Sequence, residues 1–200
     1  MKKPALPFLV LLTLSALVPS VAFAHTGVGG TAGFSHGFMH PITGLDHVLA
    51  MVMVGVLAWQ FGGRALWLVP MTFVLVTAIC SALAVAGIGM PFVEVGIALS
   101  VIVFGSIVAI GIRAPVAIAM AVVSLFAIFH GHAHGSEMPE TAAGIAHGLG
   151  FMLGTALLHA AGIVLGFLIT KMSESQGPVL VRTTGGVTAL AGIAIITGLV

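Results

Sequence analysis

Charged side chains are scarce in this chain. Only 6% of its 200 residues are Asp, Glu, Lys or Arg, whereas 60% are hydrophobic. A soluble domain carries about 25% charged residues, so this composition cannot cover a water-facing surface and indicates a protein embedded in a bilayer. The formal net charge is +1 and no basic cluster is present, which argues against nucleic acid as a partner.

Cysteine is almost absent as well. Cys80 is the only one, and it lies within an apolar run. A single cysteine excludes an intrachain disulfide, and without a second thiolate it excludes a structural zinc site of the cysteine type. We interpret Cys80 as a small hydrophobic side chain.

The N-terminus has the pattern of a secretory signal peptide. Lys2 and Lys3 precede an apolar stretch over residues 6–18, and Ala22-Phe23-Ala24 matches an A-x-A cleavage site. We predict that residues 1–24 are removed, which leaves residues 25–200 as a single transmembrane domain. The alternative is an uncleaved first helix. After cleavage, His25 would offer a free amine and an imidazole together, a chelating pair.

Six apolar stretches of the mature chain are long enough, or nearly so, to cross a bilayer, which needs about 20 residues. The sequence therefore predicts an all-α, polytopic bundle of about six transmembrane helices. Gly and Pro pairs, charged residues and a histidine-rich stretch separate them. The predicted spans are Leu45–Phe61, Leu66–Ile88, Phe92–Ile112, Pro115–Phe129, Ala142–Thr170 and Val179–Leu199.

The cations predict the orientation. With six spans, every Lys and Arg of the mature chain falls on one side, which the positive-inside rule makes cytoplasmic. We therefore expect a bacterial inner-membrane protein with both mature termini in the periplasm. The histidines then gather at the outer face or within the bilayer. The four cations are Arg64, Arg113, Lys171 and Arg182.

A first group of candidate ligands opens the first span. His36, His40 and His47 stand at i, i+4 and i+11 and would share one narrow face of a continuous helix. Pro41 permits either a kinked helix or a loop that ends where the helix begins. Either arrangement brings Asp46 close to His40 and His47, where it would bind a metal directly or orient an imidazole.

A second group follows the fourth span. His130, His132 and His134 alternate with Gly and Ala, so an extended segment would place all three imidazoles on one side. We interpret this stretch as a loop that either forms a metal site or collects metal for one.

Two further histidines lie in the fifth predicted span. His147 and His159 are twelve residues apart, about 120° around the helix axis, so they need not face one site. Both are candidates for ligands or for lining a pathway, and Glu94 at the head of the third span is a candidate carboxylate partner. Imidazole and carboxylate suit Ni²⁺, Co²⁺ and Zn²⁺ alike.

Several blocks of this chain resemble the HupE/UreJ family of small membrane proteins, regarded as nickel/cobalt permeases. They are the histidine after the signal peptide, His40-Pro-Ile-Thr-Gly-Leu-Asp46-His47, the stretch from His130 to Gly135, and Leu157 to Gly162. The resemblance implies that His36, His40, Asp46 and His47 bind metal. It also implies a link to maturation of a nickel enzyme, hydrogenase or urease.

These observations predict an importer of Ni²⁺ or Co²⁺ with a His/Asp site on the periplasmic side, with Zn²⁺ as a possible cargo. We expect no enzymatic activity and no resident prosthetic group. No GxxxxGK[ST] loop is present, so the energy must come from a gradient, from trapping inside or from another protein. The alternatives are a membrane metal sensor or accessory protein and a membrane metalloenzyme. Uptake should weaken below about pH 6, because protonated imidazoles cannot bind a metal.

Overall fold

The computed structural model describes residues 33–112, 114–138, 142–172 and 175–200. Over these ranges the regular elements are all helices. The predicted signal peptide and His25 lie outside the described residues and stay predictions. The helices are α1 Phe34–Thr43, α2 Leu45–Phe61, α3 Ala65–Val85, α4 Val93–Ile110, α5 Val116–Glu137, α6 Ala142–Met172 and α7 Gly177–Ile196.

Five of these helices, α3 to α7, are long and apolar enough to cross a membrane. Helices α1 and α2 pass the same test only as a pair, and they meet at Gly44 with a bend of 83°. Counted as one broken span, this pair brings the number to six. The prediction of an all-α polytopic membrane bundle is therefore confirmed, and two short helices, α1 and α2, occupy the region of the first predicted span and the histidines before it.

Turn residues end the helices where the sequence predicted breaks. Helix α2 ends at Gly62, with φ 68°, and α4 ends at Gly111, with φ 72°, a left-handed backbone that glycine adopts without steric cost. Pro115 caps the N-terminus of α5, where its missing amide hydrogen costs nothing.

Pro41 does not begin a helix. It lies inside α1, and the break comes three residues later at Gly44. The arrangement with a loop up to Pro41 is therefore wrong, and the kinked arrangement is the closer of the two.

The loop predicted over the histidine-rich stretch 130–140 is also wrong over residues 130–137, because α5 continues to Glu137. Gly131 and Gly135, one turn apart, pack against α3 so closely that a β-carbon on either would collide with the carbonyl of Thr77 or Ser81. The serine hydroxyl of Ser81 donates to the carbonyl of Gly131 at 2.8 Å. The glycines thus serve as a contact face of a helix, and the alternation with histidine does not make a strand.

Helix α2 is the centre of the bundle. Ala50, Val54 and Leu57 are fully buried within it. The large exposed hydrophobic side chains, such as Trp67 and Ile79, lie on the surrounding helices, as expected for faces in contact with lipid.

The ends of the bundle differ in chemistry. Helix α2 has His47 in its first turn and is followed by Arg64. Helix α6 likewise has His147 near its start and Lys171 in its last turn. Arg182, near the start of α7, donates from Nε and Nη2 to the carbonyls of Ala109 and Ile110 at the end of α4, both at 2.8 Å. The described cations therefore lie at the end opposite to the histidines. Arg113 is outside the described residues.

Candidate metal centre

Four histidines from three helices meet at one end of the bundle. His40 comes from α1, His47 from the first turn of α2, and His130 and His134 from α5. The ring of His47 lies 5.0 Å from that of His130 and 4.7 Å from that of His134, and His40 lies 4.7 Å from His134, between centroids. The bend at Gly44 turns α2 so that His47 faces the same space as His40.

Three of these residues form a buried triad, His47, His130 and His134. Each offers one ring nitrogen, and the three nitrogens lie within 4.8 Å of one another. The exposed fractions of the residues are 8%, 0% and 2%. Three neutral imidazoles on separate turns of two helices, shielded from water, make a ligand set for a borderline divalent cation.

Asp46 sets the proton positions of the triad. Its Oδ1 accepts from the backbone amide of His47 and from His47 Nδ1, both at 2.8 Å. A carboxylate only accepts, so His47 carries its proton on Nδ1 and keeps the Nε2 lone pair. That nitrogen lies 2.8 Å from Nε2 of His134, which must donate the single hydrogen between them.

Ser100 sets the proton position of His130. Its hydroxyl donates to the carbonyl of Ile97 at 2.6 Å, and its oxygen is 3.0 Å from His130 Nε2. A hydroxyl has one hydrogen, so both contacts are satisfied only when His130 donates from Nε2. His130 Nδ1 then keeps the free lone pair, and it is buried without a hydrogen-bond partner among the described residues.

A second set of ligands, the outer triad, consists of His40, His134 and Glu137. One ligand atom from each lies within 4.8 Å of the other two. His40 Nε2 is 3.8 Å from Glu137 Oε2, and these side chains are 30% and 59% exposed. The two triads therefore share His134, whose ring packs against Phe151 of α6 at 3.8 Å between centroids.

A third contact joins α1 to α6. Nδ1 of His36 lies 3.4 Å from Nδ1 of His147, and the rings of His36 and His40 are 6.0 Å apart. The helices approach closely here, because a β-carbon at Gly37 would collide with the carbonyl of His147. His36 is exposed, so this pair continues the series of imidazoles towards the surface.

The remaining candidates from the sequence are placed apart from the triads. His132 is buried, but it is two residues from His130 and His134 and so lies about 200° away from each around α5. The expectation that all three share a side was based on an extended segment and is wrong. Glu94 is exposed in the first turn of α4 and belongs to neither triad. His159 is buried deeper in α6.

The sequence analysis did not assign two residues of this centre to the predicted metal site. Glu137 stands at i+3 from His134, a spacing that places both on one helix face and would have identified it had α5 been predicted to continue. Ser100 gave no signal beyond being a hydroxyl in an apolar span, since its contact with His130 joins two helices.

Comparison with known proteins identifies the family of this chain. A family model described as HupE / UreJ protein matches residues 12–195. The chain belongs to the HupE/UreJ family. It is also similar to Protein HupE of Rhizobium leguminosarum bv. viciae, with 43% identity over 187 residues, covering 93% of this chain and 96% of the relative. No solved structure matches the chain.

Proposed function

We propose that this member of the HupE/UreJ family imports Ni²⁺ or Co²⁺ through the bacterial inner membrane, with its histidine-bearing end in the periplasm. The observation that carries the proposal is the sharing of His134 by the two triads. The shared imidazole allows a cation to pass from one set of ligands to the other without being released.

The orientation of the bundle supports uptake. The described Lys and Arg residues lie at the end opposite to the triads, which the positive-inside rule places in the cytoplasm. The periplasm then meets the exposed His36 and Glu137 first. A carboxylate and exposed imidazoles attract a hydrated cation before it reaches the buried ligands.

The outer triad suits the first dehydration step. It combines two nitrogens with a carboxylate oxygen and remains partly open to water, so an incoming ion would exchange only some of its water molecules. The buried triad offers three nitrogens away from water and suits a more fully dehydrated ion.

A metal ion bound by both His47 and His134 would occupy the position of the hydrogen that these two rings share. His47 Nε2 and His134 Nε2 share a hydrogen across 2.8 Å. Metal–nitrogen bonds of about 2.0–2.1 Å at tetrahedral angles hold two nitrogens about 3.3 Å apart. The hydrogen on His134 Nε2 would then move to Nδ1 of the same ring, which is buried without a hydrogen-bond partner among the described residues, so the imidazole binds as a neutral ligand with no net loss of a proton. The two Nε2 atoms would separate by roughly 0.5 Å, with Asp46 keeping His47 in the required tautomer.

The family and this donor set favour Ni²⁺ or Co²⁺ as cargo, with Zn²⁺ compatible with the same ligands. The metal is the transported substrate, and we assign the protein no enzymatic activity. Delivery to a hydrogenase or urease maturation pathway belongs to the same proposal.

The test is metal accumulation by proteoliposomes that contain this chain alone. We expect His134→Ala to abolish accumulation of Ni²⁺ and Co²⁺, because it removes a ligand from both triads. His132→Ala is the matched control, since it changes a buried histidine of the same helix segment that belongs to neither triad. Binding without accumulation by the wild-type chain would instead show a sensor or accessory protein.

A further inference from the structure

One stripe of α6 runs from the metal centre into the bundle. His147, Phe151, Thr155 and His159 follow one another at i+4 spacing, and their exposed fractions are 4%, 1%, 0% and 1%. The first two contact the histidines described above. Thr155 and His159 lie further along, with His159 about 18 Å from His147 at 1.5 Å per residue.

The hydroxyl of Thr155 lacks the hydrogen bond that threonines in helices usually make to their own backbone. Thr170 and Thr183 each donate to the carbonyl one turn earlier in their own helices, at 2.8 and 2.9 Å. Thr155 Oγ1 is buried and has no hydrogen-bond partner among the described residues. A threonine in a membrane helix normally satisfies its hydroxyl locally, so this one is available to something else.

His159 has two buried polar atoms of the same kind. Both of its ring nitrogens are buried without a hydrogen-bond partner in the described part of the chain. A neutral imidazole has one donor and one acceptor, and leaving both unmade within a protein interior is costly. Buried polar groups left unpaired in this way mark a site for water or an ion.

His159 is connected to the buried triad through one aromatic ring. Phe73 of α3 lies 5.4 Å from the ring of His130 and 5.1 Å from that of His159, between centroids. The phenyl ring thus separates the imidazole of the triad from the imidazole deeper in the bundle. Behind His159, its backbone packs against Gly55 of α2, where a β-carbon would collide with its carbonyl.

We propose that Thr155 and His159 form an inner transit site for the transported divalent cation. The inference rests on the proposed function and places a site beyond Phe73, in addition to the two triads. One imidazole nitrogen and one hydroxyl, a turn apart on one helix face, would hold an ion that keeps some of its water molecules. Such a site is weaker than three imidazoles, and a transported ion must be able to leave.

Co²⁺ titration of the full-length protein in detergent tests the site directly. We expect His134→Ala, which removes a ligand from both triads, still to bind one equivalent of Co²⁺. This equivalent should bind more weakly and have its own absorption bands. His134→Ala combined with His159→Leu should lose that equivalent. If the double variant keeps the equivalent, or if His134→Ala already lacks it, the inner site is wrong.

Two substitutions of Thr155 test its hydroxyl with little change in shape. Thr155→Val should weaken the inner equivalent about tenfold, as expected for loss of a polar contact to a charged group, while Thr155→Ser retains it. Thr188→Val is the matched control, because Thr188 is 5% exposed and lies on α7. Equal affinity in Thr155→Val and the wild type would overturn the role of Thr155.

Measurements of transport distinguish a failure of this inference from a failure of the proposed function. We expect Thr155→Val and His159→Leu to bind Co²⁺ at the triads like the wild type and to accumulate it at least about tenfold more slowly. If the wild-type chain accumulates no metal, the proposed function fails, while the Co²⁺ equivalents still decide the inner site. Wild-type uptake by both variants would exclude it from the route.

Discussion

Ser100 holds His130 in one tautomer. The serine oxygen lies 3.0 Å from His130 Nε2 and uses its own hydrogen on the carbonyl of Ile97. The imidazole therefore donates from Nε2 and keeps its lone pair on Nδ1. A ring fixed in this way has the nitrogen ready for a metal before the metal arrives, which lowers the entropic cost of binding.

Removal of this hydroxyl should weaken metal binding without removing a ligand. We expect Ser100→Ala to lower the affinity of the buried triad for Ni²⁺ or Co²⁺ by about 10–100-fold, the usual effect of losing a group that orients a metal-binding histidine. Equilibrium titration of the purified protein measures it. Ser136→Ala is the control, since that exposed hydroxyl only donates to Ala133 in its own helix.

Asp46 should behave as a positioning residue of the same kind. Its Oδ1 contacts His47, and it belongs to neither triad. We expect Asp46→Ala to lower Co²⁺ affinity about 10–100-fold while the absorption bands of the bound ion keep their shape. His47→Ala, which removes a ligand, should change the bands. If Asp46→Ala changes the absorption bands of bound Co²⁺ in the same way as His47→Ala, Asp46 binds the metal directly.

The long helices could be predicted from the sequence because a bilayer imposes their length. The third predicted span, Phe92–Ile112, differs from α4 by one residue at its start and two at its end. The 83° bend at Gly44 could not be predicted in the same way. It depends on how α1 and α2 pack along α6, through contacts between residues more than 100 positions apart, such as Gly37 and His147.

In the second histidine cluster, the alternation of histidine with Gly and Ala led to the wrong prediction of an extended segment. A period of two indicates a strand in water, but backbone groups within a bilayer must be paired inside their own segment, which favours the helix. In a helix, His130 and His134 share a face at i, i+4 while His132 points elsewhere. The sequence therefore predicts the types of ligand. The helix that the bilayer favours determines which of these histidines lie on the same face.

Metal binding should fall steeply as the solution becomes acidic. Each imidazole of the buried triad binds a metal only through a lone pair, so a proton and the metal compete for it. Lowering the pH protonates the ligands, so the apparent dissociation constant should rise as the pH falls. Ni²⁺ dissociation constants measured between pH 7.5 and 5 check this. An affinity that stays constant down to the pH at which the protein unfolds would contradict imidazole ligation.

The contact between α5 and α3 should be as important to the site as the ligands themselves. A β-carbon at Gly131 would collide with the carbonyl of Thr77 and force the helices apart. We expect Gly131→Ala to lower the free energy of unfolding by about 1–3 kcal/mol and to weaken metal binding, because His130 and His134 move with α5. Thermal unfolding and Co²⁺ titration measure the two effects. Gly186→Ala is the control, since its β-carbon would meet only Ala109 Cβ at 4.0 Å. If the two alanine variants unfold and bind alike, the close approach of these helices does not position the triad.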